Sequence, residues 1–303
     1  MMNRTILRVF LFLIFILVFI PVSDSKSFPV PGQGEFSYQL YYYYDLRDRE
    51  SFIQVTNNDN TSIDVHVQIF QSNFSCNEND FFDVYTQDDT HIYNMSDIQS
   101  NDGNPTGVVL PGNSYGFVVV TVYDRTTNLS ENNPVLSGNF RIVDDSGYEY
   151  RSVAASYPVI DTTTMTNKFS FNFSPVGTTT SADVIGIAVQ NAGAGLPNVS
   201  FSTDTTFSLI TFDQNEFAES CPDETFSCAS NIGLNNSITN SKGAIETLCQ
   251  STPYTEGLMR MSLTGTTTAD FFVGFIGLNN GTNRGGMELF TSIPDTTIVA
   301  SEP

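Results

Sequence analysis

Apolar and polar positions along this chain alternate in short runs, and the runs have the length of β-strands. Ile63, Val65, Val67 and Ile69 alternate with Asp64, His66 and Gln68. That period of two predicts a strand with one apolar face and one wet face. Phe36 to Tyr44 is aromatic and β-prone; within it Tyr41 to Tyr44 are expected to send two rings into the core and two to the solvent face. Tyr115 to Tyr123 is apolar almost throughout and predicts a core strand. Phe140 to Val143 and Tyr148 to Ala154 flank Asp144-Asp145-Ser146-Gly147, which has the composition of a hairpin turn. Further strands are predicted at Phe169 to Phe173, Asp183 to Gln190, Phe207 to Phe212, Gly257 to Leu263, Asp270 to Leu278 and Met287 to Thr291. Good helix formers gather only in Ala244 to Gln250, too short a segment to organise a fold.

Many short strands separated by Gly, Asn, Asp and Pro turns predict an all-β fold of two β-sandwich-like domains, immunoglobulin-like or jelly-roll-like. Pro158, Thr162 to Thr164, Pro175 and Gly177 mark a change of character and place the domains at 26–160 and 161–303. The halves share an idiom. Phe52 to Thr56 leads into Asn57, a strand, and an acidic aromatic stretch with Cys76; Ile185 to Gln190 leads into Asn191, a strand, and a similar stretch with Cys221. A diverged duplication is the expectation this raises.

Residues 1–25 read as a secretory signal peptide. Arg4 and Arg8 precede the unbroken apolar run Phe10 to Ile20, which Pro21 ends before the small residues Ser23 and Ser25. No later run is long and apolar enough for a membrane helix. Export changes the reading of the four cysteines, Cys76, Cys221, Cys228 and Cys249, which are expected to form disulfides. The expected arrangement has one bridge within 221–249 and Cys76 joined to the remaining partner, linking the halves. Asn-x-Ser/Thr acceptor sequences at Asn60, Asn73, Asn94, Asn128, Asn172, Asn198, Asn235 and Asn280 would decorate the surface in a host that glycosylates them.

With 33 Asp+Glu against 12 Lys+Arg, the net charge of −21 opposes binding to nucleic acid or anionic lipid. The densest acidic stretch runs from Asn77 to Asp102. Its Glu78, Asp80, Asp83, Asp88 and Asp89 are candidate calcium ligands, because a hard cation takes clustered carboxylate oxygens. No EF-hand loop is present, so the more ordinary expectation is a solvated, turn-rich connection.

Catalytic motifs fare poorly. Gly112-Asn113-Ser114-Tyr115-Gly116 matches the nucleophile elbow, but a strand-like segment follows where the elbow needs a helix. Both histidines, His66 and His91, precede the serine, so Ser114 is expected in a turn between strands Val108 to Leu110 and Tyr115 to Tyr123. His66 is expected on a solvent-facing strand, and His91 in a turn unrelated to it in space. The chain is therefore expected to be a secreted or cell-surface structural or adhesive protein, not an enzyme, acting by contacts with other extracellular proteins or glycans. The alternatives are a divalent-cation or small-ligand module centred on 78–102, and a hydrolase using paired carboxylates.

Overall fold

The computed structural model describes residues 36–98, 107–144, 149–156, 168–173, 181–190, 195–201, 205–213, 218–220, 224–226, 228–235, 257–264, 271–279 and 284–289. The signal peptide, the boundary near residue 160, the helix-forming segment 244–250, Cys221 and Cys249 lie outside them. The described residues contain strands, turns and one 3₁₀ turn, Ser72–Phe74, and no α-helix.

The first half contributes β1 (Gln39–Asp45), β2 (Glu50–Asn57), β3 (Ile63–Gln71), β4 (Asn77–Tyr85), β5 (Thr90–Asn94), β6 (Tyr115–Asp124), β7 (Leu129–Ser130), β8 (Leu136–Val143), β9 (Glu149–Val153) and β10 (Ala155–Ser156). They form two antiparallel sheets, ordered β10-β1-β6-β3-β4 and β5-β2-β8-β9. Ile53, Val55, Phe140, Ile142 and Tyr150 bury one face of the second sheet. That face meets the first sheet through contacts such as the edge-on pair Tyr42–Phe140, with ring centroids 6.5 Å apart. Two glycines mark close backbone approaches. A Cβ on Gly116 would fall onto the carbonyl of Phe70, and one on Gly138 onto the Tyr42 hydroxyl and the Gln54 carbonyl.

The second half contributes β11 (Lys168–Phe173), β12 (Ser181–Gln190), β13 (Ser200–Phe201), β14 (Thr205–Asp213), β15 (Ala218–Ser220), β16 (Glu224–Phe226), β17 (Ala229–Asn235), β18 (Gly257–Thr264), β19 (Phe271–Asn279) and β20 (Arg284–Leu289). Part of its pairing has the same order as in the first half, while β7 and β10 there and β13 and β16 here have no counterparts among the described residues. The order β11-β18-β14-β15 runs as β1-β6-β3-β4 does, and β17-β12-β19-β20 as β5-β2-β8-β9 does.

Several contacts among the described residues join the halves. Cys76 and Cys228 form a disulfide with Cα atoms 5.8 Å apart. β9 lies beside β20. Residues 195–199 lie as a strap over the outer face of β1-β6-β3, where they close a crevice too small to hold a water molecule. The Gln68 side chain treats this strap as a strand. Its Nε2 donates to the Val199 carbonyl at 3.0 Å, and its Oε1 accepts from the Val199 amide at 3.0 Å. The Ser130 amide donates to the Leu196 carbonyl at 3.1 Å, and the Gly195 amide to the Ser130 carbonyl at 2.9 Å. The Ala229 amide donates to Ser72 Oγ at 3.0 Å.

The strap corrects one expectation. The alternating strand Ile63–Gln71 is present, but its polar face is not wet: His66 is 2% and Gln68 1% exposed. Alternation reports which residues are polar, while a second segment of chain decides whether water reaches them. Tyr41 to Tyr44 are likewise all buried, so the division into two core and two solvent-facing rings does not hold. The Tyr41 hydroxyl meets its hydrogen-bonding need by donating to Gln39 Oε1 at 2.7 Å. Val108 to Leu110 forms no strand; it is an irregular approach to a turn at Gly112 and Asn113.

Candidate functional site

Over its described residues, 77–98, the acidic stretch consists mainly of strands rather than turns. Asn77–Tyr85 is a nine-residue strand paired along its whole length with Ile63–Gln71, and Thr90–Asn94 pairs with β2. Period-two geometry then separates the carboxylates. Glu78 and Asp80 point to the outer face with Phe82, whereas Asp83 points inward with Phe81 and Tyr85.

On the inner side, Asp83 anchors a network at the edge where the two sheets meet. Its Oδ2 accepts from the Tyr93 hydroxyl at 2.7 Å and lies 2.8 Å from His91 Nδ1, while its Oδ1 accepts from the Val84 amide at 2.8 Å. The Tyr85 and Tyr93 hydroxyls are 2.6 Å apart, and His91 stacks on Tyr85 at 4.1 Å. Burial alone would raise the Asp83 pKa; the bonds from His91, Tyr93 and the Val84 amide outweigh it and hold the carboxyl below its ordinary value. Burial first, and then the Asp83 charge, push the Tyr93 phenol well above its ordinary value. His91 Nε2 lies 3.2 Å from Asp89 Oδ2. Ionised carboxylates only accept hydrogen bonds, so the ring satisfies both aspartates only when each nitrogen carries a proton.

On the outer side, His66 Nε2 lies 2.9 Å from Asp80 Oδ2, and its ring stacks on Phe82 at 4.5 Å. Glu78 accepts from Gln68 Nε2 at 2.7 Å. Asp88 sits in the turn with φ 55°, beside Gln87. Asp89 accepts from Thr86 and from the Thr90 amide.

His66 and His91 thus face opposite sides of the β3–β4 pair, each buried. They are unrelated in space, as the sequence suggested, but neither is solvent-facing, and His91 belongs to a strand rather than a turn. Asp64 turns to Arg125 at 3.0 Å, not to His66. Among the described residues no three His, Cys, Asp or Glu side chains group closely enough to hold a metal ion. The proposed ligands Glu78, Asp80, Asp83, Asp88 and Asp89 are spread over two faces and a turn.

Ser114 follows the turn at Gly112 and Asn113 and is fully buried, not exposed. Its amide donates to the Pro111 carbonyl and its carbonyl accepts from Leu46, so the glycine-rich pentapeptide is a turn that feeds β6. Gly116 does not carry a positive φ; the near contact with Phe70 explains it instead.

Sequence reasoning missed both buried polar systems. Residues 80–85 (Asp-Phe-Phe-Asp-Val-Tyr) carry no apolar–polar alternation, because each face of the strand holds one Asp beside two apolar side chains, so the Asp83 network left no period-two signal. No protein-family model matches this chain, and no curated protein matches it.

Proposed function

We propose that this chain is an exported structural or adhesive protein that acts by extracellular contacts with proteins or glycans rather than by catalysis. The observation that carries the reading is the Cys76–Cys228 bridge, which joins two stretches 152 residues apart. Such a cross-link forms and persists in oxidising compartments, the destination that the leader at 1–25 implies. The matching strand orders of the two halves support the finer architecture, two β-sandwich-like modules derived from one by duplication. A pair of modules joined covalently suits a protein that bears load or presents a surface. The large negative charge favours solubility outside the cell and disfavours nucleic-acid partners.

The test is to express the full chain in its own host, fractionate the cells and count thiols in the exported protein under denaturation. The reading expects the protein in the surface or medium fraction, shortened at its N-terminus and without free thiol. Retention in the cytoplasm with four titratable thiols would overturn it.

A further inference from the structure

We propose that residues 195–199 are a releasable strap: the Cys76–Cys228 bridge keeps them closed over a polar face of the first half, and without the bridge they open and uncover His66. The face beneath is polar for a buried one: Gln39, His66, Gln68 and Thr121 are each at most 4% exposed. Gln39 Nε2 donates to Thr121 Oγ1 at 3.0 Å, so part of this face is satisfied without the strap. The strap itself is held by the two Gln68 bonds to Val199 and the two backbone bonds at Ser130. Water replaces bonds of this kind at little net cost. The strap brings little apolar surface to compensate: Val199 is buried, whereas Pro197 and Asn198 are exposed and Leu196 only partly covered.

The bridge, the Ser72 bond to Ala229 next to Cys228 and the packing of β9 beside β20 hold the second half, which carries the strap, against the first. Cys76 and Cys228 both adopt left-handed backbone, with φ of 56° and 64°, a conformation unfavourable for cysteine. Opening the bridge needs a dithiol reductant. It transfers two electrons and two protons, leaving two cysteine thiols on the protein and its own sulfurs joined as a disulfide.

The experiment uses the full chain, bridged and as the double variant Cys76→Ser/Cys228→Ser, with two readouts. Hydrogen exchange follows the Gly195, Ser130 and Val199 amides against Val118, Val119 and Val120 of the central strand β6. Carbethoxylation by diethyl pyrocarbonate follows the chain's two histidines separately. His91, buried between the sheets and away from the strap, is the internal control. Without the bridge, His66 should become reactive while His91 does not, and the strap amides should lose protection by about tenfold or more through local opening, whereas the β6 amides should lose only what the lowered global stability of the variant, read from urea unfolding, removes. Unchanged strap amides and an unreactive His66 would overturn the proposal. So would strap amides that lose protection only in step with β6, because the bridge would then act on the whole half rather than on a strap. Should the variant fail to fold, the same readouts on folded wild-type protein reduced in place by a dithiol decide between the same outcomes.

Discussion

Removing the Cys76–Cys228 bridge should cost this protein a large part of its stability, mainly by freeing the unfolded chain. The bridge closes a loop of 152 residues. In the chain-entropy description such a loop restricts the unfolded ensemble by about 5 kcal/mol at 25 °C, and measured losses of native bridges run to roughly 2–5 kcal/mol. Domains of this kind have about 5–15 kcal/mol in total, so the effect is not marginal. Serine at both positions keeps the left-handed backbone of 76 and 228, and its strain is not relieved by the substitution. The cost should therefore appear as lost entropy restriction rather than as repaired geometry. The chain has 13 tyrosines and no tryptophan, so urea unfolding is best followed by tyrosine fluorescence and far-ultraviolet circular dichroism. The double variant should unfold at lower urea, with a steeper dependence on urea because its unfolded state is more expanded. A loss below about 1 kcal/mol, in wild-type protein shown to be fully bridged, would refute the reasoning.

Five further outcomes follow from particular features. Asp83→Asn should destabilise by about 2–4 kcal/mol, because the bonds from His91 and Tyr93 lose their charge and one of the two carboxylate oxygens that His91, Tyr93 and the Val84 amide share becomes a donor; equilibrium unfolding at neutral pH measures it. The folded pKa of Asp83 is depressed, so its contribution is present above the unfolded carboxyl value and is lost as pH falls through the folded one; stability profiles of wild type and variant should converge in acid, and parallel profiles would contradict the assignment. Gly116→Ala should cost roughly 2–3 kcal/mol or more, since its Cβ meets the Phe70 carbonyl, and a wild-type melting temperature would contradict the close approach. Ser114, fully buried, should resist a fluorophosphonate probe in the folded protein, and stoichiometric labelling would reveal an activated serine. A calcium ion on the acidic hairpin would have to draw Asp80 from His66 or Asp83 from His91; melts in calcium and in chelator should coincide, and a rise with calcium would favour the cation reading instead.

Local pattern determined the strands. Ile63 to Ile69, Tyr115 to Tyr123, Asp183 to Gln190 and Gly257 to Leu263 each fall within an observed strand, because burying one face of a pleated backbone demands alternation, or an apolar run where both faces are covered. The acidic strand Asn77–Tyr85 was obscured because its outer face carries Glu78 and Asp80 on an exposed sheet edge, a composition that locally resembles a loop. The tertiary structure decided what no local pattern can encode. It buried Gln68 beneath residues from the other half, and His66 beneath Phe82, Tyr123 and that same strap. It also joined Cys76 to Cys228, choosing among connectivities of equal standing in the sequence. The physical reason is the same each time. Alternation is set by the backbone's own geometry over a few residues, whereas burial and pairing depend on which distant segment arrives, and that is settled only when the sheets stack.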